Sequence, residues 1–423
     1  MNFSKHILKN GLRVVLTPMK NTQTVAIEIL VEAGSKYENR SNNGVSHFLE
    51  HMMFKGTKKR PTTKIIAETF DSVGGEYNAF TGKEQTGYWV KVPTKHFEMA
   101  LEVVSDLYLN PLLHQKEIDT ERGVILQEAA MSRDTPMRFV WDIFESLLYG
   151  NQPAGWNIIG TEKNIKKLKR EDFASYMKKM YLPKSTVISI AGNFDEKKAL
   201  NLIETFFKAR KNSSRKKTKK KVIENQSVPA LRIHEKKTDQ THLLLGFRGP
   251  NMFSPDRHAT VLLGTLLGGG MSSRTFINIR ERYGLTYYIN AGTDMTTDTG
   301  YLFVAAGVEH KNLHKATRLI LKELKKITQK PVTKKELSKA KEYLKGKTLM
   351  SLESTTSVTS FFGDQELFQK KIESHEEIFE KIEKITASDI MKVAKKIIKN
   401  NHLNLAIIGP HKDNGKLRKV LKV

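Results

Sequence analysis

The sequence predicts an α+β protein of two homologous halves, each a set of helices packed on a mostly antiparallel sheet. Two observations carry this. Runs of β type alternate with longer stretches of helical period. Two pairs of apolar runs also recur at one spacing. TVAIEILVEAG (24–34) answers to THLLLGFRGPN (241–251), and STVISIAGN (185–193) to HLNLAIIGP (402–410), each 217 residues further on, with Gly192 opposite Gly409. The expected division is residues 1–207, a linker at 208–228, and residues 229–423.

Helical period places helices near 62–74, 95–108, 115–132, 136–148 and 196–207 in the first half. In the second half it places them near 255–268, 311–328, 333–351 and 375–399. Between the halves, KARKNSSRKKTKKK (208–221) has no apolar periodicity and reads as a solvated linker.

With 423 residues the chain is long enough to bury a sizeable core. Its 39% hydrophobic content fits a soluble globular protein. No apolar run approaches the ~20 residues of a membrane span. The N-terminus, MNFSKHILKNGLRVVLTP, passes at once into a strand-like run with no apolar core of a signal peptide, so a cytoplasmic chain is expected. The net charge, 71 − 45 = +26, would attract nucleic acid or other polyanions. No stacking aromatic cluster or helix-turn-helix pattern accompanies it, so nucleic acid is not the expected partner. Without cysteine, any transition-metal site must use His, Asp and Glu.

GVSHFLEHMMFKGT (44–57) meets that requirement. Asn42 or Asn43 is placed to cap a helix that Gly56 ends. Val45, Phe48, Leu49, Met52 and Met53 recur at helical spacing and form the core-facing stripe. His47, Glu50 and His51 fall on an adjacent face, so two imidazoles one turn apart can chelate one ion with a carboxylate beside them as general base. Adding 217 to positions 47–51 gives GTLLG (264–268), which has no ligand, so the shared packing does not require these side chains. H-x-x-E-H is the inverzincin pattern. A polar helix face is the plainer alternative. A third ligand must come from elsewhere, and KEIDTERGVILQEAAMSRD (116–134) offers Glu121 and Glu128 on one helical face; spacing alone does not choose between them.

HFLEHMMFKGT followed by ERGVILQEAAM resembles the pitrilysin/insulinase-type zinc peptidases, especially the bacterial processing proteases and the β subunit of the mitochondrial processing peptidase. GGEYNAFTGKEQTGYW (74–89), NQPAGWNIIGTEKNI (151–165), YLPKSTVISIAGNFD (181–195) and LGGGMSSRTFINIRERYGLTYYINAG (267–292) extend the likeness almost end to end. PAGW is less basic than the family form and the linker richer in lysine. The resemblance implies one zinc ion per chain, held by His47, His51 and Glu128, with Glu121 a supporting acid that orients the site. It implies a zinc-dependent endopeptidase acting on peptides or unfolded, presequence-like segments, Glu50 taking the proton of the attacking water. Asn78 and Ala79 would bind the substrate main chain along an edge strand, and Arg280 and Tyr287 would reach the substrate carbonyl. It also implies a clam-shell dimer; because one chain carries both the metal motif and the Arg/Tyr pair, a homodimer is expected.

Three competing readings are weaker. Non-catalytic scaffold subunits of the family lose H-x-x-E-H, which is intact here. Arg280 paired with a local acid and Tyr287 filling a core edge would be purely structural roles. LLGGGMSS is no phosphate cradle, since the GKT at 346–348 has Lys341 where a P-loop needs glycine.

Overall fold

The computed structural model describes residues 2–212, 219–369, 371–413 and 415–423; six residues of the basic linker, 213–218, lie outside them. The strands are β1 (Ser4–Ile7), β2 (Arg13–Pro18), β3 (Thr24–Val31), β4 (Glu76–Thr81), β5 (Thr86–Pro93), β6 (Thr186–Gly192), β7 (Ala230–Glu235), β8 (Thr241–Gly249), β9 (Thr286–Met295), β10 (Gly300–Val308) and β11 (Leu403–Gly409). The first-half helices are α1 (Val45–Met52), α2 (Thr63–Asp71), α3 (Phe97–Leu109), α4 (Gln115–Asp134), α5 (Pro136–Tyr149), α6 (Glu162–Lys167), α7 (Arg170–Met180) and α8 (Glu196–Phe207). The second half adds α9 (Arg257–Gly268), α10 (Leu313–Gln329), α11 (Lys334–Ser351), α12 (Thr355–Phe368), α13 (His375–Glu383), α14 (Ala387–Ile397) and α15 (Lys416–Val420).

Two mostly antiparallel sheets result, in the orders β1-β2-β6-β3-β5-β4 and β7-β11-β8-β10-β9. Apart from β1, each strand of the first has its counterpart in the second. Both keep one parallel pair, with Arg13 beside Val187 in the first and Ala230 beside Asn404 in the second, 217 residues on in both strands. The α+β architecture of two similar halves is therefore present in the topology as well as in the sequence.

The described chain forms two compact units: Met1–Ala129, Asn157–Lys220 and Leu349–Ser374 in one, Ala130–Trp156, Lys221–Thr348 and His375–Val423 in the other. Each sheet draws its strands from one side of the linker, but two equivalent helices are exchanged. In the first unit α12 covers the sheet, and in the second α5 does. The reason lies in the strands, whose successive side chains point to opposite faces. In the first sheet Val25, Ile27, Ile29 and Val31 join the core beneath α1, α3, α7 and α8. The alternate residues Val15, Leu30, Val187 and Ala191 are equally buried, against Val358, Phe362 and Leu367 of α12. In the second unit Leu244, Ala406 and Ile408 meet Val140, Phe144 and Leu148 of α5 in the same way. A glycine allows each close approach. A Cβ on Gly363 of α12 would lie 2.7 Å from Leu30, and one on Gly246 of β8 would lie 2.5 Å from Phe144.

Two expectations need correction. The stretch 375–399 is two helices, α13 and α14, because Thr386 and Asp389 form a reciprocal cap that starts a new helix. Helix α12 had no signal in helical period, since it is buried on several sides and rich in threonine. The described parts of the expected linker divide between the units: Asn212 bonds Asn10 and Lys219 pairs with Glu84 in the first, while Val222 bonds Asp298 and Ile223 bonds Gln152 in the second.

Where α12 meets the sheet, two carboxylates stand with no cation paired to either among the described residues. Glu28 of β3, 2% exposed, accepts a hydrogen bond from Ser360 Oγ at 3.0 Å. Asp364 accepts one from Gln85 Nε2 at 3.1 Å. Burial and then the charge of Asp364 push the Glu28 carboxyl up from 4.5 to about 8, and burial pushes Asp364 up to about 6. The stability gained from neutral Glu28 is complete below its unfolded value of 4.5 and is lost as pH rises through about 8. Glu28→Gln stays neutral and keeps an acceptor for Ser360. Its Tm relative to the parent should therefore climb between about pH 5 and about pH 8.5, by on the order of 5 °C, in scanning calorimetry. A constant difference across that range would rule out titration of Glu28 in the folded protein.

Candidate metal centre

Helix α1 is started by a residue that sequence spacing did not reveal. Its first residue follows Gly44 at φ +103°, and the buried carboxylate of Glu38 sits at the helix N-terminus. There it accepts hydrogen bonds from Gly44 N–H at 2.9 Å and Ser46 N–H at 2.8 Å, and from the Asn43 amide at 2.9 Å. Neither Asn42 nor Asn43 caps: Asn42 Oδ1 accepts from Asn39 N–H, and Asn43 is a donor. A carboxylate at this end also faces the positive pole of the helix. Burial nonetheless pushes Glu38 up, against the hydrogen bonds that favour its charged form. The helix ends at Met52, and Gly56 follows at φ +124°, where a Cβ would lie 2.5 Å from the Pro61 carbonyl. Val45, Phe48, Leu49, Met52 and Met53 are all buried, as their spacing required.

On the adjacent face, His47 and His51 meet Glu128 of α4. One ligand atom from each lies within 4.8 Å of the other two, and no other group of three such residues occurs among the described residues. His47 Nε2 is 3.6 Å from Glu128 Oε1, and His51 Nε2 is 3.6 Å from Glu128 Oε2. Glu121, two turns earlier on the same face of α4, takes the other side of His51. Its Oε1 lies 2.8 Å from His51 Nδ1, while Oε2 pairs with Lys55 Nζ at 2.5 Å. A carboxylate can only accept, so Nδ1 carries the proton and Nε2 presents its lone pair towards Glu128. His47 Nδ1 is buried without a hydrogen-bond partner, which leaves Nε2 as that ring's engaged nitrogen.

The electrostatics suit a cation. Glu128 is held below the usual carboxylate range, first by its bond with His47. Burial pushes Glu121 up, but His51 and Lys55 outweigh it and leave it lowered. For His51 burial works downward, and Glu121 with the other carboxylates more than reverses it. Glu50 is raised by burial, despite a hydrogen bond from Thr81 Oγ1 at 2.5 Å. Three carboxylates around two imidazoles, with Lys55 beside them, leave an excess of negative charge. Two histidine nitrogens and a carboxylate oxygen are also a donor set that zinc takes. The residues present fit the ion.

Thr81 closes β4, the outer strand of the first sheet, and α1 packs beside that strand. Asn78 and Ala79 lie in its middle, with Asn78 Oδ1 accepting from Ala79 N–H at 2.8 Å. Sequence reasoning missed Glu38, Lys55 and Thr81. Of these only Lys55, one turn past His51, had a positional signal. Arg280 and Tyr287 belong to the second unit and lie close together there. The Arg280 guanidinium is 4.8 Å from the Phe276 ring centre and 5.9 Å from that of Tyr287. Arg280 sits in the helical turn Phe276–Glu281 and Tyr287 on β9, so the pair does not share one helix. Arg280 has no acid partner among the described residues, and Tyr287 is 77% exposed, so neither structural role weighed for them holds.

The second half has lost the donor set. Adding 217 to 47, 50, 51 and 128 gives Gly264, Leu267, Gly268 and Lys345, the first three on apolar α9. Comparison with known proteins agrees with this asymmetry. Residues 13–162 match the family model described as insulinase (peptidase family M16), and residues 167–344 the model described as peptidase M16 inactive domain. A Rickettsia felis protein named uncharacterized zinc protease is 36% identical over 97% of this chain and 98% of its own length. The Bacillus subtilis protein named uncharacterized zinc protease YmxG is 33% identical over 96% of this chain and 98% of its own. A crystal structure of a protease from Helicobacter pylori shares the fold with a TM-score of 0.90 at 24% identity, over 97% of this chain and 99% of that one. With this identity maintained over nearly the whole length of such relatives, the chain belongs to the insulinase family, peptidase family M16.

Proposed function

We propose that the chain is a zinc-dependent endopeptidase that cleaves peptides or unfolded, presequence-like segments. The observation that carries this reading is the convergence of His47, His51 and Glu128, with Glu121 fixing the tautomer of His51. Relatives named zinc proteases support it. In this reading the three residues hold one zinc ion, which supplies a Lewis acid for an attacking water and a peptide carbonyl. Glu50 accepts the proton of that water and passes it to the leaving amine. Its burial makes it a stronger base than an exposed glutamate, and Thr81 fixes its orientation. Glu121 holds the His51 ring, and Lys55 keeps Glu121 ionised.

The outer position of β4 supports a substrate laid alongside it in extended form, main chain to main chain near Asn78 and Ala79. Arg280 and Tyr287 are assigned to the substrate by motif resemblance, Tyr287 donating to the carbonyl oxygen as it becomes negative and Arg280 holding the main chain. One chain carries both sets of residues, which favours a homodimer. A non-catalytic scaffold has no use for a complete donor set with a base beside it. No described helix is long and apolar enough to cross a membrane.

Removing the metal with o-phenanthroline should abolish cleavage of a fluorogenic peptide, and added zinc should restore it. Glu50→Gln should keep one zinc per chain and lose several orders of magnitude in rate. A nearly active Glu50→Gln would sink the mechanism. The two α4 glutamates separate by metal analysis. Glu128→Gln should lose zinc, whereas Glu121→Gln should retain it with about 10–100-fold weaker affinity. Zinc lost only from the Glu121 variant would reverse their roles. Tyr287→Phe should lower kcat by ~10²–10³ with little change in KM, zinc content or Tm. Full activity in that variant would remove Tyr287 from the reaction.

A further inference from the structure

We propose that a cavity of about 190 Å³ in the second unit, at the end of β8, binds a small zwitterion: an α-amino acid with free ammonium and carboxylate groups. Arg248, Glu224 and His402 supply its polar wall, Asp256 and Lys396 its rim, and Val393, Ile397 and Pro250 its apolar side.

The guanidinium of Arg248 is the first indication. The residue is 9% exposed, and two of its nitrogens have structural partners, Nε on Gln226 Oε1 at 3.1 Å and Nη2 on the Leu148 carbonyl. Nη1 is buried without a hydrogen bond, and its nearest acid, Glu224 Oε1, is 3.6 Å away and already accepts from Thr299. An unsatisfied donor on a buried cation is costly.

The packing shared by the two halves does not account for it. Subtracting 217 from 248, 256, 260 and 402 gives Val31, Asn39, Asn43 and Ser185, and from 224 gives Ile7. At the place of the arginine the first half has an apolar core residue. The charged wall is thus particular to the second unit.

The polar groups sort into two sets. Donors for a carboxylate are Arg248 Nη1 and Lys396 Nζ, the latter paired at the rim with Asp256 at 2.5 Å. Acceptors for an ammonium are Glu224 Oε2, which has no partner among the described residues, and His402 Nε2. His402 Nδ1 lies 3.2 Å from the Ile397 carbonyl, which can only accept, so the proton is on Nδ1 and Nε2 has a lone pair. Burial holds His402 below its usual range and keeps it neutral. A lone anion would face Glu224 and Asp256, and a lone cation would face Arg248 and Lys396. A ligand with both charges a few ångströms apart satisfies each set. The volume is ample for glycine, alanine or serine.

Calorimetric titration of the full chain tests this without any catalytic readout. L-Alanine should bind saturably, while propionate, ethylamine and inorganic phosphate should each bind at least about tenfold more weakly, because each leaves one set of groups unpaired. Glu224→Gln and Lys396→Gln should each weaken alanine by about tenfold, the Lys396 variant with its ligand-free Tm unchanged. Lys396 lies at the exposed rim, so its variant remains informative should Glu224→Gln fail to fold. The proposal is overturned by the absence of saturable binding for glycine, alanine and serine, which would mark a water-filled cavity. It is equally overturned by phosphate binding as tightly as alanine, or by alanine binding that survives both substitutions.

Discussion

The central strands of both sheets are apolar on both faces, and neither face can be left to water. Helices from a strand's own half cover one face. The other is covered in each unit by a helix from the opposite half of the sequence, α12 in the first and α5 in the second. The arrangement of the candidate ligands follows from this. Chain that leads to an exchanged helix must leave its own unit, and it does so along α4 and α11, which hold the boundaries at Ala129 and Thr348. Glu121 and Glu128 are thus carried on a long continuous helix anchored by Ile118 and Ile125 in the first core. Their positions are set by the same packing that completes the sheets.

The centre itself is a balance of charge and hydrogen bonding between two helices. α1 contributes both imidazoles and the carboxylate of Glu50, and α4 both remaining carboxylates. The short hydrogen bond between them, from His51 to Glu121, fixes which ring nitrogen of His51 is free. Behind α1, Glu38 holds its first turn in place at the cost of a buried carboxylate. The glycines and leucine at the corresponding positions of α9 show that the same helix packs without these side chains.

Most of the architecture and the cluster of His47, His51 and an α4 glutamate were legible in the sequence, though spacing alone did not choose between Glu121 and Glu128. The apolar strands announced themselves as short β-type runs at a fixed repeat, and His47, Glu50 and His51 were readable because helical geometry links residues three and four apart. What was hidden depended on contacts that local period does not encode. Glu38 caps a helix from outside its usual spacing, and Thr81 reaches Glu50 from another strand. Helix α12 carries no polar face because it is enclosed by sheet and neighbouring chain, so the alternation that betrays surface helices is missing. The break at Thr386 was signalled locally by Thr386 and Asp389, and the continuous apolar period across it masked the cap.

The exchange of α5 and α12 is reciprocal in topology and unsymmetrical in time. During synthesis α5 is finished before any strand of the sheet it will cover, and it can wait as an ordinary amphipathic helix. The first sheet has the opposite history. Its last strand ends at Gly192, yet the helix for its second face begins at Thr355, 355 − 192 = 163 residues later. At ordinary rates of translation, ~5–20 residues per second, that interval is roughly 8–30 s. Throughout it Val15, Leu30, Val187 and Ala191 form a bare apolar surface on the nascent chain, long enough for a chaperone, or another unfinished copy, to reach it first.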